Sequence, residues 1–430
     1  MKILISAFSC APWFGSEPAI AWGVIRRLSA NHALWVLTDV HNRPYIEAAL
    51  ARSPLPSVRF TFVRAICKIE PARAAGWVQG LHYLLWQLYA FFAAAALHRR
   101  IRFDLAHHIT YGSSWLPSLL GWLPIPFLWS AGARETTPWN FYGVMSWRSR
   151  VAELMRSSAV FFLGSLTRVL TASRARLILS PSSPAAWGAG LPVQRFALGG
   201  LQPEEIDLLR AIPERCTGAF RAASIGRLLG WKGFALGIEA FTRLHRDHPD
   251  CEYWIFGDGP ERRHLENLAR RRGCASAVKF WGVLSRGELM QQLAEIDVLV
   301  HPSLHEQFGY ALLEGMAAGK PVIALDVGGP RRLVQEEGGR LIPRGKPEQV
   351  IRDIHRWLEH MAQHPAERRE KGANARRWAC ERWNWESVGE RLFKFYERTA
   401  RPAGSGYRAP DGADCAEPAL SPEANWVGEP

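Results

Sequence analysis

The chain has 430 residues, 48% hydrophobic and 22% charged, enough for two or three domains with cores of their own. That balance excludes a wholly disordered chain, a coiled coil and a small disulfide scaffold. The formal charge is +13, and its whole excess lies in residues 1–200, which carry 20 Lys+Arg against 7 Asp+Glu. A field of that sign attracts anions: a membrane surface, nucleic acid or a phosphorylated substrate. Seven cysteines without a C-x-x-C pair argue against a disulfide framework and a zinc ribbon, and fit a reducing cytoplasm.

In chain order, Lys2–Phe8 reads as a buried first strand, because its apolar run is too short for a secretion signal and Pro12 and Gly15 follow at once. Ala19–Asn31 reads as a helix, Ala33–Thr38 and Val58–Val63 as strands, and Leu81–Arg100 as a helix. Leu105–Ile109 and Pro126–Trp129 read as short strands, with Leu170–Ala172 and Ala197–Leu198 closing the set. The stretch Trp77–Leu97 has the length of a membrane span. Gln79, His82 and Gln87 interrupt it, and its end is rich in Ala, so it reads as a helix buried in, or seated on, the protein.

A second series begins near Phe220. Ala222–Ile225, Tyr253–Phe256, Val278–Phe280, Val298–Val300 and Val322–Leu325 read as strands. Ala235–Asp247, Pro260–Arg272, Arg286–Glu295 and Tyr310–Ala318 read as the helices between them. Strands separated by helices imply parallel sheets covered on both faces, so the fold class is α/β with two doubly wound units. The expected division is 1–205, 206–385, an amphipathic helix over 386–400, and a Pro-, Gly- and acid-rich tail over 401–430 that cannot bury much.

The richest stretch is HPSLHEQFGYALLEGMAAGKPV, followed by GGP. Glu306 lies in a loop after a strand, and Glu314 about one turn into the next helix. The backbone N–H groups of Gly309 to Leu312 are then unpaired helix-start donors, suited to a diphosphate. Carboxylates on either side suit sugar and ribose hydroxyls. In GRLLGWKGF, Arg227 and Lys232 are two cations at the end of a strand, able to neutralise a diphosphate leaving group. Gly15 and Ser16 follow the first strand and bring N–H groups close to a phosphate, or else Ser16 or Glu17 caps the helix. Asp104 leads to His107 and His108 at a strand end, where open α/β sheets bind ligands. The glycine fingerprint of dinucleotide enzymes fails at Gly257-x-Gly259, where Arg262 takes the last glycine's place. No D-x-D, H-E-x-x-H, Walker A loop or G-x-S-x-G occurs.

Together these strings resemble the GT-B retaining glycosyltransferases of family 4, over residues 1–400. GSEPAIAW resembles the GSEPGxGW start of a subgroup found in bacterial polysaccharide assembly, with Ala19 and Ala21 in place of glycines. SAGARET, 130–136, stands where that subgroup has a glycine-rich loop. The resemblance implies two Rossmann-like domains facing a cleft, the N-terminal one for the acceptor and the C-terminal one for a UDP- or GDP-linked sugar. It implies that Arg227 and Lys232 hold the diphosphate, Glu314 the ribose and Glu306 the donor sugar. Phe308, Gly309, Tyr310, Ala311 and Leu312 would line sugar and phosphate, Gly15 would approach from the other domain, and His108, in preference to His107, would face the cleft. It implies a retaining reaction without metal or cofactor, on a glycan or lipid-linked glycan, in the cytoplasm at the inner face of the membrane. An anionic membrane surface is an expected partner, and nucleic acid is not. The alternative is a transferase-like binding module that no longer turns over.

Overall fold

The computed structural model describes residues 1–12, 16–65, 76–215 and 218–400. The first sheet is built from β1 (Lys2–Ala7), β2 (Ala33–Asp39), β3 (Val58–Val63), β4 (Leu105–Thr110), β5 (Phe127–Ser130), β6 (Leu177–Ser180) and β7 (Val193–Arg195). All seven are parallel, in the order β3-β2-β1-β4-β5-β6-β7. The second sheet takes β8 (Arg221–Ile225), β9 (Glu252–Phe256), β10 (Val278–Gly282), β11 (Val298–His301), β12 (Val322–Leu325) and β13 (Gly339–Ile342), parallel in the order β10-β9-β8-β11-β12-β13. β4, β5, β6, β11 and β12 are buried at every residue, as strands sandwiched between helix layers must be. The chain has the GT-B fold, two Rossmann-like α/β domains.

In the first domain the helices are α1 (Ser16–Leu28), α2 (Arg43–Arg52), α3 (Gly76–Ile101) and α4 (Trp147–Leu170), with α5 (Pro203–Arg210) leading to the second. The second has α6 (Phe234–Asp247), α7 (Arg262–Arg271), α8 (Arg286–Ala294), α9 (Tyr310–Ala317) and α10 (Pro330–Leu333), then α11 (Pro347–Gln363), α12 (Pro365–Arg382) and α13 (Trp385–Ala400). α13 packs on α1: Val388, Leu392, Phe395 and Tyr396 are buried, and Trp385 lies so close to Gly23 that a Cβ there would sit 2.0 Å from its ring. In both sheets the strand order reverses between the first strand and the fourth, β1/β4 and β8/β11, which puts a ligand crevice at each switch point.

Two expected strands are replaced. Leu170 ends the 24-residue α4, and Thr171 is fixed by exchanging hydrogen bonds with the Ser118 backbone at 2.9 and 3.1 Å. The sheet continues instead through β6, and then through β7 ahead of Ala197. The expected tail, 401–430, lies outside the described residues. The apolar stretch around Trp77–Leu97 falls in α3, the one helix among the described residues long and apolar enough to cross a membrane. Its Tyr83, Trp86, Ala90 and Ala94 are buried in a cluster with Leu4, Phe8, Leu37 and Ala106 of the sheet, while Phe92 is 68% exposed. α3 is therefore a surface-seated helix with one packed face.

The domains also touch through residues 135–153. Phe141 and Met145 are buried in the second domain's core. The Ser146 amide and hydroxyl donate to Glu261, and the Glu135 carboxylate accepts from the Gly328 amide at 3.2 Å.

Candidate active site

After β8 the chain turns through Arg227–Lys232 to Gly233, which has φ 68°. A Cβ at Gly233 would lie 2.1 Å from the Pro302 carbonyl oxygen, so only glycine lets this loop press against the loop after β11. That approach delivers Lys232 to Glu306, where Nζ and Oε2 form an ion pair. His301 at the end of β11 reaches the same oxygen through Nε2 at 3.1 Å. Burial by itself would raise the Glu306 carboxyl; the charges of Lys232 and His301, with their hydrogen bonds, outweigh it and hold the group well below the ordinary carboxylate range. Trp231 stacks on His305 with centroids 4.3 Å apart and carries Lys232 Nζ 4.7 Å from its own ring centroid. Arg227 is exposed and forms no ion pair among the described residues, so the structure unites Lys232 with Glu306 and leaves Arg227 apart. His301 was missing from the candidates, although it stands only five residues before Glu306 in the same string.

Gly309, at φ 99°, is the N-cap of α9. Phe308 is buried against Trp383, and the Tyr310 hydroxyl hydrogen-bonds the Gly200 backbone at both its N–H and its carbonyl. These two anchors fix the start of α9, where Gly309 to Leu312 present their amides. Leu312 is fully buried and Ala311 half-buried. Glu314 lies one turn on and accepts from Arg286 at 3.0 Å; Arg286 also pairs with Glu205 at 3.0 Å. Burial raises the Glu314 carboxyl, with Arg286 opposing it. Glu314, Arg286, Glu205 and Tyr310 line a cavity of about 190 Å³ that Ala19 and Trp22 of α1 close from the other domain.

A second, smaller cavity runs between Glu17, Thr110, Gly112, Gly132 and Gln307. Glu17 accepts from the Gly112 amide at 2.8 Å, and burial pushes its carboxyl up to about 7. His108 does not line this cavity. It is fully buried, with Nδ1 at 3.0 Å from the Ser6 hydroxyl and Nε2 at 3.2 Å from both the Tyr83 hydroxyl and the Tyr111 carbonyl. His107 is buried on the other side, between Tyr396 and Ser130. The expectation that His108 faces the cleft is therefore corrected: strand alternation sends one ring towards α3 and the other towards α13, and neither is exposed. Gly15 lies outside the described residues. Asp39, His41 and His82 bring three polar atoms within 4.8 Å of one another, joined by Asp39–His41 and Asp39–His82 bonds of 2.5 and 3.1 Å.

Residues 206–378 match the family described as glycosyl transferases group 1. A 2-deoxystreptamine N-acetyl-D-glucosaminyltransferase of Streptomyces fradiae is 28% identical over 324 residues, 71% of each chain. The lipopolysaccharide core biosynthesis glycosyltransferase LpsE of Rhizobium meliloti is 36% identical over 132 residues, 30% of this chain and 37% of that one. The chain spans less than half the length, 44%, of the first curated relatives that it matches. Among solved structures, Anabaena HepE in complex with UDP and glucose superposes with a TM-score of 0.61 at 18% identity, over 92% of this chain and 99% of that one. The second domain thus matches the group 1 glycosyl transferases, and the chain as a whole shares the GT-B fold of these solved structures.

Proposed function

We propose that the protein is a retaining, metal-independent glycosyltransferase of family 4, of the subgroup with a GSEPGxGW-like start. It moves a sugar from a UDP- or GDP-linked donor to a hydroxyl of a lipid-linked or polysaccharide glycan, in exopolysaccharide or lipopolysaccharide assembly. The observation that carries this is the Lys232–Glu306–His301 cluster beside the free amides of α9, with Glu314 further along that helix. Lys232 and the helix start receive the diphosphate, and Arg227 swings in from solvent to join them. Glu314 takes the ribose hydroxyls, and Glu306 accepts from the donor sugar. Lys232 and His301 already hold Glu306, so it suits binding better than covalent attack. The acceptor hydroxyl then attacks the anomeric carbon on the face from which the diphosphate leaves, and its proton passes to the departing phosphate oxygen. Fixed cations supply the charge stabilisation that a metal would otherwise give. The LpsE and HepE likenesses support an envelope-glycan substrate and a uridine donor.

The protein works at the cytoplasmic face of the membrane. α4 exposes Trp147, Leu154, Met155, Phe161, Phe162 and Val169 at 59–74%, while its one acidic residue, Glu153, is buried. An apolar helix face flanked by Arg148, Arg150 and Arg168, with Arg156 paired to the buried Glu153, suits an anionic bilayer surface. Transfer from labelled UDP- and GDP-sugars to a membrane glycolipid extract, compared with Lys232→Ala and Glu306→Ala, tests the activity; normal transfer by both variants would sink it. Flotation tests the location. The protein should rise with phosphatidylglycerol vesicles, and the Phe161→Asp/Phe162→Asp variant should stay below. Equal recovery of the two would count against the α4 face.

A further inference from the structure

Beside the Glu306 loop lies a cavity of about 290 Å³ shared by both domains. The first domain contributes Arg134, Ser182, Ser183 and Arg195, and the second Gly328, Arg331 and Arg332, the last of which has an interaction of its own. It borders the donor loop directly: the Gly329 amide donates to the Glu306 carbonyl at 3.0 Å, and a Cβ on Gly328 would lie 2.1 Å from that same oxygen.

Its charge is unbalanced. Arg331 is neutralised by Asp326, through Nε at 2.5 Å and a second nitrogen at 3.0 Å. Arg134 and Arg195 have no carboxylate or hydrogen-bond partner for their guanidinium groups among the described residues. Arg134 lies over the Trp187 ring, 5.1 Å from its centroid, and beside Gly164 of α4, and burial and the nearby Arg168 both act against its charge. Glu135 faces the same space, with one oxygen held by Gly328 and the other buried without a partner. Two half-buried guanidinium groups left open, with two serine hydroxyls beside them, form a fork for an oxyanion.

We propose that this cavity binds a phosphoryl group carried by the acceptor, so that the acceptor is a phosphorylated or diphosphate-linked glycan and not a neutral one. Arg134 and Arg195 grip its oxygens from the first domain, and Ser182 and Ser183 donate to them. The group sits across the domain junction, next to the Glu135–Gly328 hydrogen bond, so its binding draws the domains together over the transfer point. This rests on the transferase reading for the word acceptor; the anion site itself does not.

The test is calorimetry on the full chain with inorganic pyrophosphate, in the presence of saturating UDP, GDP or ADP so that the donor subsite is filled. Wild type should bind pyrophosphate at one remaining site, and Arg134→Gln and Arg195→Gln should each weaken it tenfold or more. Arg195→Gln keeps the result interpretable if loss of the Arg134–Trp187 stack unfolds the chain. Arg246→Gln, at an exposed arginine in the last turn of α6, should bind as wild type does. Farnesyl diphosphate and glucose 1-phosphate, titrated in parallel, separate a lipid-borne phosphate from a sugar-borne one by which binds tighter. Nucleotide binding with no second site, or equal pyrophosphate affinity in wild type and both variants, overturns the proposal while the transferase reading stands. Pyrophosphate binding that depends on Arg134 and Arg195, in a chain that binds none of the three nucleotides, supports the anion site and counts against the transferase reading.

Discussion

Replacing Lys232 by Ala removes the main positive charge facing a nearly buried carboxylate. Lys232 and Glu306 side chains are 15% and 11% exposed. Breaking a fully buried pair costs about 3–5 kcal/mol. His301 remains at 3.1 Å, and loss of Lys232's repulsion lets it take up a proton more easily, so the cost here is about 2–3 kcal/mol. The sign with pH is fixed by Glu306. In wild type its folded pKa lies below the ordinary 4.5, so its contribution is complete above pH about 4.5 and fades as pH falls through the folded value. In the variant, burial prevails and the carboxyl moves up, so stability falls as pH rises past 4.5. The gap between the two proteins should therefore be wide at pH 7 and narrow towards pH 4. Urea denaturation across that range measures it. A gap of the same size at pH 4 and pH 7, or none at all, would refute the coupling of Lys232 to Glu306.

Gly233→Ala should destabilise the chain by about 2–4 kcal/mol, from the positive φ and the approach to Pro302 together, and denaturant midpoints will show whether it does. His107 and His108 are held down to about 3 and about 4, chiefly by burial; unfolding frees them to protonate, so stability should fall as pH drops below 6.5, by more than 1 kcal/mol per unit from the pair. A chain with Asn at both positions should lose most of that slope in melting experiments between pH 5 and 7. Glu314→Ala should weaken nucleoside diphosphate binding about tenfold by calorimetry, the loss of a charged hydrogen bond, and leave inorganic pyrophosphate binding unchanged.

Most of the fold was legible because its strands are short apolar runs punctuated by Gly and Pro. The helix α4 was not, for a physical reason. Its buried positions are Ser149, Glu153, Gly164 and Thr167, with Val160, while Leu154, Phe161 and Phe162 face outwards, so the usual apolar-in rhythm is inverted. Leu170–Ala172 misled in the same way, as the apolar end of that helix. At the site, the Glu306–Glu314 spacing located α9, because a glycine N-cap and helix start are written in local sequence. The orientation of His108 was not written there, since alternation gives two sides but not which side meets the cleft. The Arg134–Arg195 fork was invisible because its two cations stand 61 residues apart and meet only through the strand order β5-β6-β7.

The central claim is a donor site built from Lys232, Glu306 and α9. Calorimetric titration of the wild-type chain and the Lys232→Ala variant with UDP, GDP and ADP tests it most directly. The account predicts binding with a preference for UDP or GDP, weakened about 10- to 100-fold in the variant by loss of the charged contact to the diphosphate. Binding of equal strength in the two proteins, or of none of the three nucleotides by wild type, would contradict it.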